Sequence, residues 1–414
     1  MMKTMKAMFQ RNRNLFCMLL LMLCGYVLLH DLLGGTLFLH SDWDSYTLQA
    51  LSWREGRMDL GQNYPWLELA VYNGKYYVSF PPVPSVFMLP LTFVFQDGTP
   101  NNFLMMLLAL ATSSAAYFAM RKSGMRSSSA SVAAFFYVWG SNMLWMSTDG
   151  GVWFQAQGYC LLLLTLSLFC ALYNRRVAAY ALVALAVGCR PFAFFAFLPL
   201  LFYFCEKDTA SGLTLMQSVK KQLPSLILPA LIGGGYMAYN YARFSNVLEF
   251  GHNYLPEFTA SEHGQFSAVY LWDNLKKLLF LPVKFENGRL VFPFFDGFMF
   301  YVANPLFLLL FTMLLRQLLF KPTLPPLAQS ARRPYAYTRA ALLFAFAAEL
   351  VCLCLHKTLG GWQFGARYTV DMLPLALAYI LSLGAWEPRR YEYVVMGLGI
   401  MFNVYGVIAI YLFT

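Results

Sequence analysis

Charge is scarce in this sequence. Of 414 residues only 12% are Asp, Glu, Lys or Arg, while 59% are hydrophobic. A soluble domain carries about twice that charged fraction, so the shortage excludes an ordinary soluble protein. Acids are the scarcer sign, 20 against 30 basic residues, giving a net charge of +10. No arginine-rich aromatic surface accompanies that charge, so nucleic acid is excluded as a partner. Only five histidines occur, and no His-x-x-x-His is present. The eight cysteines, at 17, 24, 160, 170, 189, 205, 352 and 354, lie inside or at the ends of apolar runs, without zinc-type spacing to histidine. Cys352 and Cys354 cannot share one helix face. All eight are expected to be small apolar packing residues. A Walker A loop and a GxGxxG loop are both missing, and no separate soluble domain or internal repeat is visible.

What the chain has instead is apolar runs long enough to cross a bilayer, about 20 residues each. Runs such as LFCMLLLMLCGYVLLHDLL are continuous, which excludes the short alternating segments of a β-barrel. The expected fold is an all-α polytopic membrane protein, one integral domain over 1–414. The basic-then-apolar N-terminus has no clear cleavage site and reads as a retained first helix. Lys and Arg in short loops favour the cytoplasm. The run 81–95, PPVPSVFMLPLTFVF, is short and broken by Pro84 and Pro90. Laid at the outer surface as an interfacial helix, it lets every later basic loop fall inside. The cytoplasmic segments then hold 19 of the 30 basic residues but four of the 20 acids.

About eleven spanning helices follow, at 15–34, 101–120, 131–147, 155–173, 176–189, 190–205, 222–243, 297–319, 339–356, 370–386 and 392–413. The region 176–205 is either one long helix or two broken at CRP, 189–191. Two large segments, 35–100 and 244–296, stay outside, joined by a short one at 356–370. The Gly run 233–235 is expected to permit close helix packing.

Three constellations stand on that outer side. The first is acidic: HSDWDSYTLQA puts Asp42 and Asp44 just past the first helix. Tyr46, Gln49, Ala50 and Trp53 follow a helical i, i+3, i+4, i+7 spacing. Either acid could cap that helix, or serve as a general base toward a hydroxyl. The second is basic. Arg367 with Lys357, Arg243 and Arg190 all lie at outer helix ends, against the positive-inside bias. An arginine near hydrocarbon costs about 2.5–3.5 kcal/mol on insertion scales, and the guanidinium fork matches phosphate oxygens. Pairing with Asp371, Glu349 or Asp149 is the competing explanation. The third is aromatic: WLELAVYNGKYYVSFPP, 66–82, reads as two short strands around an Asn-Gly turn. Its rings suit an interface belt or a sugar. Gln155 and Gln157 are expected to face the same cavity as Asp42. His252 and His263 are isolated.

In this order and topology the segments resemble the GT-C superfamily of membrane glycosyltransferases, over nearly the full chain. The resemblance rests on DWDSYTLQA, KYYVSFPPVPSVFMLPL, YNYARFSNVLEFGHNY and GWQFGARYTVDMLP. It implies a bundle with extracytoplasmic interfacial helices and a polyprenyl-phosphate-sugar donor, with sugar leaving with inversion toward an acceptor on a glycan, lipid or protein. Asp42 is implied as base, with Asp44 beside it. Arg367, Arg243, Arg190, Lys75 and Lys357 are implied at the donor phosphate. Trp43, Tyr46, Tyr76, Tyr77, Gln155, Gln157 and Tyr368 are implied around sugar and acceptor. The sequence departs from the pattern at Phe80, where aminoarabinose transferases carry lysine, and at Trp43, where a second acid is usual. Two carboxylates two residues apart are compatible with a divalent cation, Mg or Mn, or with none, and no full metal site is visible. The implied location is a bacterial inner membrane with an extracytoplasmic site. The competing class is a transporter or flippase of a lipid-linked glycan, against which the lack of an inverted repeat counts.

Overall fold

Apolar segments can satisfy their backbone in a bilayer only as helices or closed barrels. In the computed structural model, which describes residues 12–319 and 335–412, they are helices. The elements that position the site are α1 (Arg13–Leu32), α2 (Ser45–Arg54), the hairpin β1 (Leu69–Tyr72) and β2 (Lys75–Val78), α3 (Val83–Phe95), α4 (Asn101–Lys122), α5 (Ser127–Trp139), α6 (Val152–Leu172) and α7 (Arg176–Val187). They continue with α8 (Phe197–Ala210), α9 (Leu215–Gln222), α10 (Ile227–Phe244), α11 (Leu271–Phe280), a second hairpin β3 (Lys284–Glu286) and β4 (Arg289–Val291), α12 (Leu306–Leu319), α13 (Ala336–Leu355), α14 (Leu373–Ser382) and α15 (Arg390–Leu412). The basic residues expected at Lys3, Lys6, Arg11, Lys321, Arg332 and Arg333 lie outside the described residues.

Among the described residues five helices, α1, α4, α6, α13 and α15, are long and apolar enough to cross a membrane. The other expected spans are shorter or interrupted, each for a local reason. The expected helix 131–147 stops at Trp139, with Gly140 as its C-cap and a separate turn at Met143–Met146. Region 176–205 is two helices: α7 is capped by Gly188, and Pro191 opens a 3-10 turn that leads into α8. The run 297–319 is broken at Asn304–Pro305 between Phe300–Ala303 and α12. The segment 81–95 forms α3, 13 residues with Pro90 inside, about 20 Å long at 1.5 Å per residue.

The Asn-Gly turn forms as expected. Asn73 and Gly74 take φ of 49° and 73°, and Tyr72 pairs with Lys75. The second hairpin, at Asn287-Gly288, has the same chemistry. The Gly233–Gly235 run corrects its expectation: a Cβ at any of the three would meet nothing within 4 Å. Among the described residues no neighbour comes that close to these three positions, and Gly235 borders an apolar groove.

Helix breaks expose backbone groups, and buried ones need partners. Two asparagines at the breaks supply them. The Asn142 N–H donates to Asn304 Oδ1 (2.8 Å), and Asn304 Nδ2 donates to Asn142 Oδ1 (3.1 Å) and to the Thr369 hydroxyl (3.0 Å). Asn142 Oδ1 also accepts from the Ala366 N–H at 2.9 Å. The loop entering Arg367 is pressed from two further sides. Gly365 sits at φ 81° with Asn142 where a Cβ would be, and at Gly406 of α15 the Phe364 ring takes the place a Cβ would fill. This clamp holds residues 364–369 on the broken ends of two helices. Asn304→Leu strands the Asn142 and Thr369 groups, so it is expected to lower stability by about 2–4 kcal/mol. Thermal unfolding in detergent measures this; an unchanged transition would remove the clamp from the account.

Candidate functional site

The two acids of the first outer segment have separate fates. Asp44 is buried and is the N-cap of α2. Its Oδ1 accepts from the Tyr46 and Thr47 N–H groups (3.0 and 3.2 Å), and its Oδ2 from the Thr47 hydroxyl and Asn101 Nδ2 (2.9 Å). Four donors saturate the carboxylate, so it has no lone pair to spare for a substrate. The expectation of Asp44 as a catalytic partner is corrected: capping the helix takes all of its oxygens. Asp42 is exposed, and among the described residues only its backbone carbonyl is engaged, by Trp66 Nε1 at 3.2 Å.

Its chain neighbour Trp43, but not Asp42 itself, lines a cavity of about 530 Å³, within the range of ligand sites. Trp43, Trp153, Phe154, Trp362, Tyr368 and Tyr411 supply aromatic wall. Glu68, Asp149 and Glu257 supply acids, and Arg367 a cation. Trp43 and Trp153 pack at 5.7 Å between ring centres, and the Val152 N–H donates to the Trp43 carbonyl. The first outer segment is thereby tied to the start of α6.

Arg367 is 4% exposed. Its Nε and Nη2 donate to the Gly360 carbonyl, and its Nη1 to Gln157 Oε1 at 3.0 Å. Gln157 Nε2 returns a bond to the Arg367 carbonyl at 2.7 Å. Tyr368 and Phe154 lie 4.7 and 5.9 Å from the guanidinium carbon. Of five guanidinium N–H groups, two remain without a partner, and no acid lies within ion-pair distance among the described residues. Burial pushes its pKa down, yet arginine stays charged. A buried unpaired cation on a cavity wall is costly unless an anion visits it.

Asp149 was expected only as a possible partner for an arginine. It lines the cavity instead, with Oδ1 accepting from Gly151 N–H (2.6 Å) and the Ser41 hydroxyl (3.0 Å). Its Oδ2 takes no hydrogen bond from the described residues. Burial raises its pKa, the Gly151 and Ser41 bonds oppose the rise, and the charges of Asp44 and Asp42 add to it. Glu68 is raised by burial too, against the Trp153 Nε1 bond (2.9 Å) and the field of Arg367. His252 on the same wall is lowered to about 3, chiefly by burial, and is neutral at pH 7.

The remaining expected residues divide. Tyr368 and Trp43 line the cavity, and Gln157 holds Arg367. Gln155 points back into its own helix start, donating to the Gly150 carbonyl at 2.7 Å. Lys357 stands at the rim, its amine on the Glu257 carbonyl at 2.9 Å. Arg243 does not reach the cavity. Its guanidinium clamps the carbonyls of Val78, at the end of β2 (3.0 Å), and of Phe250, in the loop beyond α10 (3.2 Å). Arg190 pairs with Asp371 at 2.7 Å behind the Tyr368 ring. Lys75 is exposed and bound to Asp59 at 3.0 Å. Tyr46 and Tyr77 are buried in packing against Phe80 and Phe244, and Tyr76 is half-buried on the hairpin. Glu68 and Asp149 were missed in the sequence. Asp149 carried a signal, a lone acid just before a long apolar helix; Glu68 was hidden in the aromatic stretch just before β1. No group of three His, Cys, Asp or Glu side chains gathers at metal-ligand range among the described residues.

No protein-family model matches the chain, and no curated protein sequence matches it. Solved structures do match, at 14% identity. ArnT from Cupriavidus metallidurans bound to undecaprenyl phosphate aligns over 87% of this chain with a TM-score of 0.50. The Archaeoglobus fulgidus oligosaccharyltransferase aligns over 96% in its apo form (TM-score 0.50), and over 97% as AglB in complex with an inhibitory peptide and a dolichol-phosphate (TM-score 0.51). These likenesses show that the chain shares the fold of those structures. The chain spans 59% of the ArnT structure and 56% of each oligosaccharyltransferase structure.

Two substitutions distinguish cap from site. Asp44→Ala is expected to cost about 1–2 kcal/mol of stability, and Asp42→Ala less than about 0.5 kcal/mol; equal losses in chemical or thermal unfolding would contradict the division. Asp149 has a raised folded pKa. Its favourable contribution is present below the ordinary aspartate range and lost as pH rises through the folded value. At neutral pH its charge is a net cost, so Asp149→Asn is expected to melt higher than wild type at pH 7. That gain is expected to shrink toward pH 4, and a lower melting point at pH 7 would refute it.

Proposed function

We propose that this chain is an inverting glycosyltransferase that moves a sugar from a polyprenyl-phosphate donor to an acceptor hydroxyl. The observation that carries the reading is Arg367: buried, without an acid partner, two N–H groups free, on the wall of an aromatic and acidic cavity. The fold supports it, since two of its solved neighbours hold lipid phosphates.

In this reading the donor phosphate takes the two free N–H groups of Arg367, a bidentate match. Arg190, 4.7 Å from the same Tyr368 ring that Arg367 covers, adds field without contact. The sugar lies against Trp43, Trp153 and Trp362. A second groove, of about 500 Å³, is walled by Trp53, Pro82, Val86, Phe87, Leu185 and Tyr236 and is almost wholly apolar. Phe80 borders the cavity and Pro82 the groove, so a lipid tail can leave the one and enter the other.

Asp42 acts as general base. It takes the acceptor hydroxyl proton as the oxygen attacks the sugar's anomeric carbon, and the bond from that carbon to the phosphate oxygen breaks with inversion. The electron pair leaves on the phosphate, where Arg367 stabilises it. Asp149 Oδ2 orients the acceptor hydroxyl. Each step is carried by the chain's own residues; among the described residues no group of three His, Cys, Asp or Glu side chains gathers for Mg or Mn. The reading includes about eleven passes, the shorter helices crossing a locally thinned bilayer. The site then faces outward from a bacterial inner membrane, with a glycan, lipid or protein as acceptor.

The test is the purified protein in lipid nanodiscs with a panel of polyprenyl-phosphate sugars, read by mass spectrometry of released lipid phosphate. Asp42→Asn is expected to fold normally and lose transfer. Arg367→Ala is expected to lose about 100-fold or more in kcat/KM. Wild-type turnover in Asp42→Asn would show that another group is the base.

A further inference from the structure

A second cavity, of about 340 Å³, lies at the opposite ends of the helices that build the candidate site. The first turn of α6 (Trp153, Phe154) lines the site; its last turn (Ala171, Leu172) lines this cavity. The 21 residues of α6 separate the two by about 30 Å, the thickness of a hydrocarbon core. The lower cavity is walled by Leu164, Leu168, Leu200, Leu342, Leu375 and Ala378, from α6, α8, α13 and α14. Lys122 and Lys207 stand on its lining, with Tyr203 and Tyr335 stacked beside them at 5.2 Å.

Neither lysine makes an ion pair among the described residues; each lies only over a ring, Tyr173 for Lys122 and Tyr203 for Lys207. The acids of this face are committed elsewhere. Glu206 accepts from the Tyr337 and Thr338 N–H groups, both at 2.9 Å. Asp208 is held by Arg176, Lys221 and Ser218. Glu387 holds Arg126 and Ser129, and Glu392 holds Trp386 and the Arg389 N–H. Residues 320–334 contribute no acid to the sequence, and neither do residues 1–11. Two cations therefore stand on an apolar crevice with no ion-pair partner among the described residues. The loops here are basic, which places them on the cytoplasmic side, where anionic lipids concentrate.

We infer that this cavity is a binding site for an anionic phospholipid of the cytoplasmic leaflet, with its phosphate between Lys122 and Lys207 and one acyl chain among the leucines. The occupant is a lipid because the wall below the lysines is apolar, and an anionic one because a zwitterionic headgroup brings its own cation to a place that already has two. The site is independent of the transfer reaction proposed above.

The experiment is competitive lipid binding to the full chain in detergent, read by native mass spectrometry. Phosphatidylglycerol and phosphatidylcholine of identical acyl chains are the probes. Two lysines near a membrane surface favour the anionic lipid by about 30-fold. K122Q/K207Q is expected to bring that preference close to unity, with transfer at the other face unchanged. Ala378→Phe, which fills the crevice and keeps both lysines, is expected to weaken both lipids. Should Ala378→Phe fail to fold, the lysine variants still decide. Equal binding of the two lipids to wild type, or a preference surviving in K122Q/K207Q, overturns the site. Competition by soluble glycerol 3-phosphate as strong as by phosphatidylglycerol overturns the lipid as occupant. Tighter binding of a polyprenyl phosphate overturns the phospholipid.

Discussion

A guanidinium removed from water needs an answering charge, and Arg367 has none supplied by the described residues. Much of the local structure is explained by holding that group in place. Gln157 binds both its side chain and its own carbonyl. Gly360 offers a carbonyl to two of its nitrogens. Phe364, Gly365 and Ala366 are pinned on the broken helices through Asn142, Asn304 and Gly406. Such a group could relax by snorkelling or by pairing with Glu68, and packing prevents both. The energy stored in an unpaired charge is released when an anion arrives, which is what a site for a phosphate leaving group requires.

The contrast with the other basic residues sharpens the point. Arg243, Arg190 and Lys75 sit at similar places in the chain and have each found a partner: carbonyl oxygens, Asp371 and Asp59. The same division separates the acids. Asp44 is spent on a helix cap, while Asp42 and the Oδ2 of Asp149 are left open. Lys122 and Lys207 repeat the pattern on the opposite face, in a cavity whose wall favours a lipid chain.

Legibility followed the range of the interaction. The Asn73-Gly74 turn and the amphipathic face Tyr46–Gln49–Ala50 are local and could be read from neighbouring residues, while 189–191 stood open between one long helix and two. Helix lengths were less legible. Apolar runs such as 131–147 and 297–319 carry no periodic mark of where they break, because a bundle interior and a bilayer reward the same residues. The breaks at Gly140 and Asn304 are stabilised by each other across 162 positions, which no local pattern records. The Gly233–Gly235 run was misjudged for a related reason: small residues permit close approach, but a neighbour must also be there.

By itself the sequence determined the class: too little charge for water, apolar runs for a bilayer, basic loops on one side, and a small set of polar groups on the other. Composition and hydropathy act residue by residue, so they survive without a fold. Only the tertiary structure decided which of those polar groups are free. Whether an arginine meets an anion or a carbonyl, and whether an acid caps a helix or faces a cavity, depends on partners distant in the chain. Partnership is a property of three-dimensional packing and desolvation, and it is what separates Asp149 and Arg367 on the cavity wall, and the exposed Asp42, from residues of the same chemistry a few positions away.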